Sequence, residues 1–221
     1  VNGPVTFCQK ETATYNAPLV PGLTYQWSLQ PADAGTIVQG QGTNNVEVFW
    51  QTPGNHQITL HLCNFSANRT VTVHALPNPA VGLPPTLCPG ATAIVQTTVP
   101  FAAYSWATSA GASLGSAASV DIGAGTYVLT VVDGNGCAGS TTFSIESAPV
   151  PTLSVSTPDP TGFCNNSQVV HMQALTNTGG SLTYEWFRDG NPLGVNSSGY
   201  STNQYGAYTV QATNSSGCTA T

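Results

Sequence analysis

Six cysteines, Cys8, Cys63, Cys88, Cys137, Cys164 and Cys218, have the most chemistry to offer. Thiols can hold a metal or oxidise in pairs. Structural zinc is held by close pairs such as C-x2-C. Here no two cysteines lie closer than 25 residues apart. Disulfides are therefore expected, and with them an oxidising compartment outside the cytosol.

The other candidates are weaker. Gly111-Ala-Ser-Leu-Gly115 has the G-x-S-x-G spacing of a nucleophile elbow. That motif needs a strand-to-helix turn on a large α/β sheet, with an acid and a base downstream. A loop in a small β-module is expected here instead. Asp133-Gly-Asn-Gly136 shares its opening with calcium loops, but an EF-hand runs on for about twelve residues to a Glu. This stretch meets Cys137 at once. Asp-Gly and Asn-Gly are also strong turn signals, so a turn is expected, with calcium the minor alternative and no other cofactor. His56, His61, His74 and His171 show no ligand spacing, and the parity of His56 and His61 turns them to opposite faces of a strand. The nine acids are scattered singly, so no carboxylate pair for glycoside hydrolysis stands out. No catalytic or metal-binding residue is assigned, and the chain is not read as an enzyme.

A repeat positions these residues. Three times the chain opens with an apolar residue and a cysteine: Phe7-Cys8, Leu87-Cys88 and Phe163-Cys164. Each is followed by Tyr-x-Trp, ending at Trp27, Trp106 and Trp186, then by a Gly-led alternating strand from Gly54, Gly125 or Gly206, then by Cys63, Cys137 or Cys218. Such periodicity means tandem small domains rather than one large core. The repeat selects one pairing: Cys8 with Cys63, Cys88 with Cys137 and Cys164 with Cys218, one per module. Modules of about 70 residues bury too little surface to be comfortably stable alone, and a staple is the usual remedy. Each bond would close about fifty residues, worth roughly 4 kcal/mol in the chain-entropy model.

Period-2 alternation runs throughout, as in Tyr127-Val-Leu-Thr-Val131 and Tyr208-Thr-Val-Gln-Ala212, with His56-Gln-Ile-Thr-Leu60 carrying His in the Tyr place. Short strands punctuated by 23 Gly and 16 Pro indicate β-sandwiches. The expected fold is all-β: three tandem Ig-like or PKD-like sandwiches in an extended arrangement, at 1–76, 77–149 and 150–221. Proline-studded joins should limit bending. Trp27, Trp106 and Trp186 are expected in the cores rather than as sugar-stacking platforms, and Tyr127 and Tyr208 as anchors of the sixth strand. Trp50 shares parity with Val46 and Val48 and also reads as core. After Cys218 only three residues remain, so the third module is expected to lack its last strand, through truncation or completion by another chain.

Charge bounds the partners. Only 3 Lys+Arg stand against 9 Asp+Glu, which argues against nucleic acid and anionic membrane surfaces. No apolar run approaches the roughly 18 residues of a membrane span. The chain is 40% hydrophobic, so it is not disordered by composition.

Leu87-Cys-Pro-Gly-Ala-Thr92, Gly125-Thr-Tyr-Val-Leu-Thr-Val-Val-Asp-Gly-Asn-Gly-Cys137 and Gly206-Ala-Tyr-Thr-Val-Gln-Ala-Thr-Asn-Ser-Ser-Gly-Cys218 resemble the Ig-like and PKD-like repeats of very large surface proteins from gliding bacteria that use type IX secretion. The first module, with Asn2-Gly-Pro-Val-Thr-Phe-Cys8 and Tyr25-Gln-Trp27, is most similar to the PKD-like variety. The resemblance implies an extracellular stalk or adhesive segment on a bacterial cell surface, with surface polysaccharide or neighbouring repeats as partners and fibre contacts between copies. The sequons at Asn64, Asn68, Asn165, Asn196 and Asn214 are discounted on the same basis. Two alternatives stand beside it. A carbohydrate-binding module would expose coplanar aromatics, with Tyr15, Tyr200 or Tyr205 as candidates. A self-assembling fibre subunit would be completed by strand exchange.

Overall fold

A computed structural model of the chain describes residues 1–158, 168–177 and 180–221. Among them every regular element is a β-strand.

The first repeat contains β1 (Thr6–Cys8), β2 (Thr12–Asn16), β3 (Gln26–Gln30), β4 (Gly35–Gln39), β5 (Asn45–Trp50), β6 (Gly54–Leu62) and β7 (Phe65–His74). They make two sheets, in the orders β1-β7-β6-β3 and β2-β5-β4. Alternate residues face inward, as period 2 demands. In β5, Val46, Val48 and Trp50 are buried, and from the facing sheet Ile58, Leu60, Val71 and Val73 meet them. β1 runs parallel to β7 with Cys8 opposite His74. β6 runs antiparallel to β7 through a tight turn at Cys63-Asn64.

The second repeat contains β8 (Val81–Gly82), β9 (Ala93–Thr97), β10 (Ala103–Thr108), β11 (Ser113–Gly115), β12 (Ser119–Ile122), β13 (Gly125–Val132) and β14 (Ala138–Ile145). Its sheets are β11-β10-β13-β14 and β12-β9-β8. The third contains β15 (Leu153–Ser156), β16 (Val170–Thr176), β17 (Leu182–Arg188), β18 (Asn191–Pro192), β19 (Gly199–Thr202), β20 (Tyr208–Asn214) and β21 (Thr219–Ala220). Its sheets, β15-β16-β19 and β18-β17-β20-β21, follow the same plan. The last strand, expected to be missing, is present as a two-residue stub in which Thr219 and Ala220 pair with Thr213 and Ala212.

By contacts the chain divides into two compact units, residues 1–80, 97–118 and 128–142, and residues 81–96, 119–127 and 143–221. The second repeat contributes strands to both.

Candidate functional site: the disulfide-bonded turns

The turns before Cys137 and Cys218 are each built by one side chain. Asp133 Oδ1 accepts from the N–H groups of Asn135 and Cys137, both at 2.9 Å. Asn214 Oδ1 does the same for Ser216 at 3.0 Å and Cys218 at 2.9 Å. Such local acceptance is what makes Asp and Asn turn formers. The bond from Cys137 is the main cause that lowers the Asp133 carboxyl below its ordinary 3.8. A neutral Asn performs the same task in the third repeat, so the oxygen here serves the backbone. Among the described residues no group of three or more His, Cys, Asp or Glu could hold a metal ion.

The cysteines do not pair as the repeat suggested. Cys8 is bonded to Cys137, with Cα atoms 5.5 Å apart, and Cys88 to Cys218, with Cα atoms 5.4 Å apart. Cys63 is a free, exposed thiol. Cys164, like Asn165, lies outside the described residues. The expected Cys8–Cys63 bond fails on geometry. Cys8 lies beside His74, at the end of β7, whereas Cys63 sits in the turn before its start. Nine residues of strand separate these ends by about 30 Å, and a disulfide needs Cα atoms within about 7 Å. The same order holds in the second repeat, where Leu87 pairs with Ser147 just past β14 and Cys137 precedes that strand. In the first two repeats the opening cysteine is therefore at the C-terminal pole, and the closing cysteine at the N-terminal pole. Consecutive repeats bring unlike poles together, so each bond joins one repeat to the next. The separations are 129 and 130 residues, and each bond alone is worth about 5 kcal/mol in the chain-entropy model.

Other contacts seat the turns at both joints. Thr86 Oγ1 and Ser216 Oγ lie 3.3 Å apart, and Asn214 Nδ2 donates to the Pro149 carbonyl at 2.7 Å. At the other joint a Cβ on Gly139 would fall 1.8 Å from the Pro77 carbonyl oxygen, so only glycine permits this approach. Cys137 and Cys218 are buried, at 0% and 2% exposure.

The cores hold these poles in place. Trp27, Trp106 and Trp186 are all buried, and their indole N–H groups donate to the carbonyls of Thr43 at 2.9 Å, Ala117 at 2.8 Å and Ser197 at 2.8 Å. On the sixth strand, buried Tyr127 donates to the Gly123 carbonyl at 3.0 Å and half-buried Tyr208 to the Gln204 carbonyl at 3.0 Å. Each bond reaches back four residues. His56 does likewise, its Nε2 lying 2.7 Å from the Thr52 carbonyl. A carbonyl only accepts, so Nε2 carries the hydrogen. Histidine thus replaces the tyrosine anchor in the first repeat at the same register. It also stacks on Trp50, with centroids 5.9 Å apart. Trp50 is fully buried and touches Phe7 and Tyr15 as well. Burial pushes the Tyr15 hydroxyl up to about 12, opposed by the nearby Trp50 N–H and the Arg69 guanidinium. Neither the hydroxyl nor that indole N–H makes a hydrogen bond of regular geometry.

The remaining candidates scatter. Ser113 lies in exposed β11, so the G-x-S-x-G stretch is an edge strand rather than the expected loop, and it adjoins no helix. His61 is exposed where His56 is buried, His74 sits beside Cys8, and His171 is exposed on β16. Tyr15, a sugar-platform candidate, is fully buried and cannot act as one. Tyr200 packs on Trp186 and Tyr208, with centroids 5.7 and 5.8 Å away. Tyr205 is 67% exposed.

Residues 1–76 match the PKD-like domain family. No curated protein matches the chain. Among solved structures, the three N-terminal domains of the bacteriophage RB49 outer capsid protein Hoc are similar at 14% identity, covering 94% of this chain and 88% of that one, with a TM-score of 0.41. Extracellular domains 3–5 of Drosophila OTK are similar at 13% identity, covering 98% and 93%, with a TM-score of 0.31. Domains A168–A170 of titin are similar at 14% identity, covering 96% and 90%, with a TM-score of 0.31. Superposition at these scores is partial, and the fold assignment rests on the strands themselves: this is an all-β chain whose first 76 residues resemble a PKD-like domain.

Proposed function

We propose that the chain is a non-catalytic segment of an extracellular repeat protein, a shaft of sandwich modules (1–76, 77–149 and 150–221) stitched covalently from each to the next. One observation carries this reading: both disulfides join consecutive repeats instead of closing each repeat on itself. A bond within a module protects that module, whereas a bond between modules protects the joint, where a chain under tension would otherwise part. Disulfides and the PKD-like match favour an extracellular setting. The likeness of the repeats to surface proteins of gliding bacteria suggests a type IX-secreted adhesin or surface fibre, with neighbouring repeats as partners. The test is a screen of the monodisperse, oxidised chain against a polysaccharide panel, with and without calcium. A shaft shows no saturable binding. Saturable binding to one glycan class, abolished by Tyr205→Ala, would overturn the spacer reading in favour of a carbohydrate-binding module.

A further inference from the structure

Two joints in this chain obey one rule. The cysteine of the turn joining the sixth and seventh strands, at the N-terminal pole of a repeat, is bonded to the opening cysteine of the repeat before it, 129 or 130 residues upstream. The first repeat also turns between β6 and β7 at that pole, through a shorter two-residue turn without the Asp or Asn acceptor, and its cysteine is Cys63. This thiol is exposed, whereas the bonded Cys137 and Cys218 are buried. Phe65, the first residue of β7, stands beside it at 63% exposure. The repeated chemistry therefore reaches one pole further than the bonds already formed.

We propose that the Cys63 turn is a covalent acceptor site. Its ligand is the opening-strand cysteine, following an apolar residue, of a β-sandwich module of the same kind placed ahead of residue 1. The proposal rests on the stitched-shaft reading and extends it to the N-terminal pole. In the reaction the Cys63 sulfur and the incoming sulfur become joined. Their two protons and two electrons pass to a disulfide-bearing thiol oxidase of the same compartment, which becomes a dithiol. Phe65 offers the apolar seat for the residue preceding the incoming cysteine.

The test uses the natural protein, isolated with free thiols alkylated beforehand and digested without reduction. Mass spectrometry should find the Cys63 peptide linked to a cysteine about 130 residues nearer the N-terminus, at the spacing of the two existing joints. In the Cys63→Ser protein that upstream cysteine should appear alkylated instead, while the Cys8–Cys137 link persists. Alkylated Cys63, or Cys63 linked to a cysteine on its C-terminal side, overturns the proposal. The Cys8–Cys137 and Cys88–Cys218 peptides serve as the internal control. If they are present while Cys63 is alkylated, the acceptor site alone fails. If they too are absent, the stitched-shaft reading fails with it.

Discussion

A tether stretched between its ends reports which cysteines are paired, because a disulfide short-circuits the chain it closes. With Cys8–Cys137 and Cys88–Cys218 formed, the shortest covalent path runs from Val1 to Cys8, crosses to Cys137, goes backwards to Cys88, crosses to Cys218 and ends at Thr221. That path holds roughly 60 residues and extends to about 200 Å, whereas the reduced chain extends to about 750 Å. Force spectroscopy of the unfolded, oxidised chain should therefore stop near the shorter length. Pairing within each repeat would give almost the same wild-type limit, so variants must decide. Cys63→Ser should leave the limit at about 200 Å, and Cys8→Ser/Cys137→Ser should raise it to about 300 Å. Pairing within repeats would instead put these variants near 400 and 560 Å. A Cys63→Ser tether that lengthens to about 400 Å would refute the pole argument.

Three further outcomes follow from the cores and turns. His56→Ala removes a buried ring from Trp50 and a hydrogen bond to Thr52, and should cost about 3 kcal/mol in urea unfolding. His56→Tyr, which restores the residue of the other two repeats, should cost less; equal losses would show that His56 is not an anchor. Asp133 has a carboxyl lowered in the folded state, so its contribution is present above the ordinary 3.8 and lost as pH falls through the lower folded value. Asp133→Asn, which copies Asn214, should fold normally and weaken the acid dependence of stability; an unchanged acid profile would contradict this. Tyr15 is raised to about 12 from 10.0, so its contribution is complete below pH 10 and lost as pH rises towards 12. Phenolate absorbance should show Tyr15 ionising only as the first sandwich unfolds, and early reversible ionisation would place it nearer solvent than its burial implies.

Much of this was readable in one dimension because it is local or periodic. Alternation places Val46, Val48 and Trp50 on one face whatever the rest of the chain does. The spacing from Gly125 to Tyr127 and from Gly206 to Tyr208 also appears between Gly54 and His56, and the three anchors behave alike. Asp133 and Asn214 sit where a turn needs a backbone acceptor, so their role follows from position and type. The burial of Tyr15 was not legible, since Thr12–Asn16 alternates on both faces and only the packing of β2 against β5 and its neighbours chooses the inner one.

By itself the sequence determined the repeat pattern, its all-β character and its tryptophan centres, because each depends on spacing along one chain. Which cysteine meets which was decided only in three dimensions. The opening strand lies parallel to the seventh, so Cys8 is carried to the far end of its own sandwich and away from Cys63. A repeat in sequence shows that two cysteines belong to one module, but not that about 30 Å of strand stands between them.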